Sequence, residues 1–273
     1  MIIGMRGHDF GRMQPEALAR AIASYGFRAT QLAFTKCFEG PAEQYMTGEA
    51  LASIRETFAA HGIAIPVMGC YISAADPDDA VREAAKAKFA ECLRASKILG
   101  AGCVGTETTH FSADESEREA AYARLLDFAK YVSAEAEACG AIAAIEPVAL
   151  HTLNTPELAR RLLDDVASPN LKIILDTANL ITPQTTAPEA QREMLERAVA
   201  CFGEHVVALH IKDGAFDENG KWVNRPLGQG VMDWEHLFPI LRANFDSLCA
   251  TREAVYPGLA AEEYELLCRW NEA

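Results

Sequence analysis

Short apolar runs and longer amphipathic stretches alternate along the chain from end to end. Strands are predicted at Ile2–Met5, Ala29–Phe34, Ile63–Cys70 and Cys103–Thr106, and again in four runs ending on Glu146, Asp176, His210 and Glu253. Between them the spacing of apolar positions predicts helices at Pro15–Tyr25, Leu51–His61, Asp78–Leu99, Ser116–Cys139, Pro156–Val166, Pro188–Phe202, Asp233–Asn244 and Gly258–Trp270. Pro15 and Pro156 suit first helical turns, and Thr155 and Asp233 suit N-caps. Gly62, Gly100, Gly140 and Gly203 stand where a helix would end in a left-handed residue before turning into the next strand. Alternating strand and helix implies a parallel sheet. Eight such units predict a closed α/β structure, a (β/α)8 TIM barrel, as one domain over residues 1–273. The one long irregular stretch expected is Lys212–Met232, and a loop of that length in a compact domain is usually functional.

The totals fit this picture. The 273 residues are 50% apolar and 23% charged, an ordinary globular balance. No run approaches the ~18–20 apolar residues of a membrane span. The first strand begins at Ile2, so a cytoplasmic location is expected. The eight cysteines form no CxxC pair and read as free thiols. A formal charge of 25 − 39 = −14 repels nucleic acid and anionic membranes. The expected partner is a small molecule, with self-association left open.

Chemistry enters at four strand ends. The runs Ala141–Glu146, Leu171–Asp176, Val206–His210 and Leu248–Glu253 each close on a carboxylate or an imidazole. Such groups are poor core material, and in a barrel all strand C-termini open on one face, where active sites sit. Four consecutive strands would bring Glu146, Asp176, His210 and Glu253 to one side of the mouth. Three carboxylates and one imidazole suit Mn²⁺, Mg²⁺, Co²⁺ or a similar divalent ion, and the lack of thiolates argues against a structural zinc site.

With these residues the chain resembles the xylose isomerase-like TIM-barrel superfamily, the sugar-phosphate isomerase/epimerase group. The resemblance rests on Ile145-Glu146-Pro147, Leu175-Asp176-Thr177-Ala178-Asn179-Leu180, Leu209-His210-Ile211-Lys212-Asp213 and Pro226-Leu227-Gly228-Gln229-Gly230-Val231-Met232-Asp233-Trp234, in order over nearly the whole length. Likeness to its ketose 3-epimerases implies that Glu146, Asp176, His210 and Glu253 ligate a divalent metal, Mn²⁺ first, with Mg²⁺, Co²⁺ or Zn²⁺ admitted. It implies that Glu146 and Glu253 also act as an acid/base pair. The reaction implied is sugar epimerisation or isomerisation through a metal-stabilised enediolate, on a sugar or polyol substrate. Asn179 stands where those epimerases often carry histidine, and it bonds a hydroxyl without titrating. Arg225 is similar to their substrate-binding arginine, after a longer connection from His210.

Other residues are placed near the mouth by strand position alone. His8 follows strand one, Glu107 and His110 follow strand four, His151 follows strand five and Lys212 follows strand seven. Each has an ordinary alternative: a loop histidine for His8, a salt bridge to Asp213 or Glu253 for Lys212. His61 and His205 are expected on the opposite face, His236 in solvent and Trp234 in packing. Three other functions compete. The same site would serve an eliminating dehydratase or a lyase that cleaves C-glycosides, and a degenerate paralogue would bind metal without turnover. The apurinic-site endonucleases of the group use more histidines and a basic face, which seven histidines and the charge of −14 oppose.

Overall fold

The structure is a computed structural model describing residues 1–111 and 114–272; residues 112, 113 and 273 of the expected domain lie outside the described residues. The strands are β1 (Ile2–Arg6), β2 (Ala29–Leu32), β3 (Ala64–Gly69), β4 (Cys103–Glu107), β5 (Ala143–Glu146), β6 (Leu171–Asp176), β7 (Val206–Ile211), β8 (Asp213–Phe216), β9 (Trp222–Arg225) and β10 (Cys249–Arg252). The helices are α1 (Pro15–Ser24), α2 (Phe34–Cys37), α3 (Gly48–Ala60), α4 (Asp79–Leu99), α5 (Arg118–Cys139), α6 (Pro156–Val166), α7 (Thr177–Leu180), α8 (Pro188–Phe202), α9 (Trp234–Phe245) and α10 (Ala260–Glu272). Eight parallel strands close in the order β1-β10-β7-β6-β5-β4-β3-β2, and the helices surround them. The expected (β/α)8 barrel is therefore present. Among the described residues no helix is long and apolar enough to cross a membrane.

Residues alternate across each strand. Val67, Cys103, Ala144, Ile174 and Ala208 form a small apolar cluster of their own, apart from the large core between strands and helices. Glu146, Asp176 and His210 lie two residues beyond Ala144, Ile174 and Ala208, so they share that face and rise above it into the mouth. Gly105 belongs to the same layer. A Cβ there would meet Ile174 at 2.5 Å and Val67 at 2.9 Å, so a side chain on this strand would displace the floor of the site.

Three local expectations change. Residues 212–232 are not irregular: β8 and β9 pair antiparallel, with Asp213 opposite Arg225 and Phe216 opposite Trp222. Their turn is held by Asp217, whose carboxylate accepts the N–H groups of Asn219 and Lys221 at 2.9 Å each, with Gly220 left-handed at φ +73°. Gly62, Gly100 and Gly140 are left-handed at φ between +67° and +74°, but Gly203 is right-handed at φ −53°, because the chain passes directly into a 3-10 turn at Gly203–His205. Asp233 does not cap α9 with its side chain; its carboxylate bonds His236 Nδ1 at 2.8 Å instead.

Candidate metal centre

Register carries the site residues to one level. Asp176 lies opposite His210, Glu146 lies opposite Glu107, and Thr251 lies opposite His210. Glu253 follows β10 by one residue and stays in phase with Thr251, while its N–H continues the ladder to Ile211 O at 2.9 Å. All four expected ligands are buried: Glu146 is 4% exposed, Asp176 0%, His210 2% and Glu253 5%.

Donor atoms of Glu146, Asp176 and His210 lie within 4.8 Å of one another. His210 Nδ1 is 3.0 Å from Glu146 Oε2 and 3.7 Å from Glu253 Oε1, so the two glutamates converge on one imidazole nitrogen. Glu253 stands outside the tight trio and is also 3.4 Å from Arg6 Nη1. Arg6 is in turn fixed by Asp9 at 2.8 Å, and Asp9 accepts the Val255 N–H at 2.9 Å. Lys212 Nζ lies 3.2 Å from Asp176 Oδ2 and donates to Asn179 Oδ1. Asn179 Nδ2 donates to Glu146 Oε1 at 2.5 Å. Asp176 Oδ1 accepts the N–H groups of Ala178 and Asn179, at 2.8 and 3.2 Å, which starts α7 and sets Asn179 in place.

The electrostatics follow from burying several acids around fewer cations. Burial pushes the Glu146 carboxyl up, and pushes Asp176 up to about 6 against the pull of Lys212. Glu107 is raised by the same loss of water. Burial acts on Glu253 too, but His210 and Arg6 hold it down at about 2. For His210 burial opposes the charge, yet Glu146 and Glu253 raise it to about 9. Lys212, also opposed by burial, is held well above its ordinary range chiefly by Asp176. A carboxylate-rich pocket of this kind favours a bound cation.

Unsatisfied atoms test that fit. His210 Nε2 is buried without a hydrogen-bond partner, and Asp176 Oδ2 makes no hydrogen bond and has only the Lys212 ammonium beside it, at 3.2 Å. Of the nine such side-chain atoms among the described residues, six belong to His8, Gln31, His151, Asp176, His210 and Thr251, at or just below the mouth. Buried polar atoms are normally paired, so this concentration marks where a polar ligand belongs. Oxygen donors with one imidazole nitrogen fit a divalent ion.

The remaining expected residues divide. Lys212 and Asn179 are in the cluster, Lys212 bonded to Asp176 rather than to Asp213 or Glu253. Glu107 lines the pocket with Gln31, Tyr71, Glu146, His210 and Glu253. His151 Nε2 is 3.9 Å from Glu107 Oε2, and its ring packs edge-on against His110 at 5.8 Å. His8 packs edge-on against Tyr71 at 6.1 Å. Arg225 is not gathered in: it is exposed on β9, with no ion pair to a described residue. Its carbonyl, not its guanidinium, is engaged, by Arg252 Nη2 at 3.3 Å. Arg6, Gln31 and Tyr71 were not expected. Arg6 ends β1 just as Glu146 ends β5, so the same strand-end rule would have found it.

Asp213 explains the glycine turn that follows the hairpin. Its carboxylate accepts N–H groups from Gly214, Gly228, Gly230 and Met232, and a Cβ at Gly230 would fall 2.0 Å from Asp213 Oδ1. Only glycine lets that backbone wrap the carboxylate, which ties the hairpin to the barrel rim beside Lys212.

The family model of the xylose isomerase-like TIM barrel matches residues 19–270, and the chain belongs to that family. No curated protein matches it by sequence. Among solved structures it is similar to L-ribulose 3-epimerase, at 17% identity and a TM-score of 0.78, over 99% of this chain and 94% of that one. It is equally similar to the IOLI protein with a bound zinc atom, at 17% identity and a TM-score of 0.78, over 99% and 96%. The probable 3-DHS dehydratase AsbF of Bacillus anthracis aligns at 16% identity and a TM-score of 0.73, over 98% and 99%.

Proposed function

We propose that this protein is a divalent-metal-dependent sugar epimerase or isomerase. The observation that carries the reading is the buried convergence of Glu146, Asp176 and His210 within 4.8 Å, with Glu253 beside the same imidazole nitrogen. Similarity in fold to an L-ribulose 3-epimerase supports the substrate class. Glu146, Asp176, His210 and Glu253 would hold the ion. Bound there, it would supply Lewis acidity toward a sugar carbonyl, making the neighbouring carbon more acidic.

The chain's own groups do the rest. Glu146 and Glu253 reach the same imidazole nitrogen from different strands, and the reading places a sugar carbon between them with a carboxylate on either face. One removes the proton beside the carbonyl. The other returns a proton to the opposite face, which inverts that carbon, or to the adjacent carbon, which exchanges ketose and aldose. Asn179 and Arg6 orient Glu146 and Glu253 respectively, Lys212 sets Asp176, and Glu107 and Tyr71 wall the pocket.

Proton exchange tests the reading. Metal-stripped protein is reloaded with Mn²⁺, Mg²⁺, Co²⁺ or Zn²⁺ and incubated with a ketose panel in D₂O. Deuterium should enter one carbon without loss of water, and only in loaded protein. Loss of water would move the reaction to elimination, and no exchange with any ketose under any ion would overturn the proposal.

A further inference from the structure

A second cleft adjoins the metal centre. It is an open cleft of about 230 Å³ between the loop after β5, the segment after α7 and the β8–β9 hairpin, and Asn179 lies on its border. Its chemistry is the opposite of the neighbouring site. Leu150, Ile181, Pro183, Phe216 and Trp222 supply its surface, and none of its lining side chains ionises, in a chain that is 23% charged. Phe216 and Trp222 stand edge-to-face at 5.2 Å, and the indole N–H is already given to Asn224 Oδ1 at 2.9 Å, which leaves the ring as an apolar surface. Leu150 is 56% exposed, the largest exposure among the chain's large apolar residues. Asn179 is held at both ends of its amide, by Glu146 and by Lys212, so one fixed side chain borders both the metal centre and the cleft.

We infer that this cleft is a substrate subsite for an apolar, aromatic substituent carried by the sugar. An edge-to-face aromatic pair and aliphatic edges with no charge suit a planar ring. A second sugar unit would bring more hydroxyls than Thr182 and Gln184, the remaining polar side chains of the lining, can pair. Asn179 bonds Glu146 and also lines the cleft, which ties the occupant to the reacting sugar: with carbons held between Glu146 and Glu253, a substituent leaving past Asn179 enters the cleft. The preferred substrate is then a sugar bearing an aryl group, with free ketoses turned over at the same centre but bound less tightly. The inference rests on the sugar-enzyme reading for the part of the ligand that reacts.

The subsite can be tested apart from turnover. The probe is 4-fluorobenzyl alcohol, followed by ¹⁹F line width with wild-type protein and with Trp222→Ala and Leu150→Ser. Leu150→Ser guards against a collapsed hairpin, since Leu150 is exposed and lies outside it. Wild-type protein should broaden the line, and each variant should weaken binding at least tenfold. In a second arm, aryl and methyl glycosides compete with the probe, and aryl forms should bind at least tenfold better in wild type but not in Leu150→Ser. An unbroadened line, or equal binding by wild type and Leu150→Ser, overturns the subsite. Neither readout needs proton transfer, so Glu146→Gln should keep the broadening. Failure of ketose exchange with the broadening intact would sink the enzyme reading and leave the subsite standing.

Discussion

Arg252 and Glu253 are neighbours in the chain and belong to two different buried charge networks. Arg252 points outward from β10 to α10. There it binds Glu263 through Nε and Nη2, both at 3.0 Å, while Glu263 also accepts the Leu227 N–H at 2.9 Å. Arg252 is 0% exposed and Glu263 3%, and neither has a buried atom left without a partner. Glu253 points inward, to the network where His210 Nε2 has no partner and Asp176 Oδ2 has only the Lys212 ammonium beside it. Both networks bury charge, so burial alone does not mark a site. The closed network is built to hold the β10–α10 edge, and the open one is built to receive something.

Breaking each network should therefore have different consequences. Glu146→Gln should lower ketose proton exchange by about 10²- to 10⁴-fold, the range for loss of a general acid or base, with little change in the thermal midpoint. Near-native exchange would end the assignment of Glu146. Arg252→Met should act the other way. It leaves Glu263 buried and unpaired, a loss of about 3–5 kcal/mol in urea unfolding, and the double variant Arg252→Met/Glu263→Leu should recover most of it. If the single variant is as stable as wild type, the contrast between the networks fails.

Metal sharpens the comparison further. Mn²⁺ at a hundred times its Kd should stabilise wild-type protein by about 2.7 kcal/mol, and Arg252→Met/Glu263→Leu by the same amount. Asp176→Ala should show no such gain in a titration followed by thermal unfolding. The smallest effect concerns His151, whose burial, with His110 nearby, lowers it to about 4 from 6.5. Its neutral form is favoured in the folded protein. The unfolded chain takes up a proton as pH falls through 6.5, so wild-type stability declines between about 6.5 and 4 on this account. His151→Gln lacks that decline, and the stability of wild type relative to the variant should fall over this window. A constant difference would show that His151 is more hydrated than its packing implies.

Much of this was legible because strand and helix leave different periods in a sequence. Eight apolar runs separated by amphipathic stretches required a parallel sheet, and their charged ends required a shared mouth. Asn179 was visible through the resemblance, as the residue three past Asp176, and Lys212 through its strand position two past His210. The hairpin was missed although Asn219-Gly220 is a strong turn signal, because the flanking segments of β8 and β9 are too short and too polar to alternate clearly. Arg6 was missed because attention stayed on metal-ligand types. Arg225 was taken from resemblance, and it now lies on an exposed strand whose side-chain direction depends on the hairpin register.

The sequence by itself determined the barrel, its strand order and the four residues that converge, since these follow from periodicity and from the rule that strand ends share a face. Only the tertiary structure decided which charges pair. Side-chain phase on β10 sends Arg252 to Glu263 and Glu253 to His210, and Lys212, two residues past His210, comes within ion-pair distance of Asp176. It alone also joined Leu150, Pro183 and Trp222 into one apolar cleft. Those residues lie on two loops and on β9, and their proximity comes from how loops and hairpin stack over closed strands, a distance that no local pattern encodes.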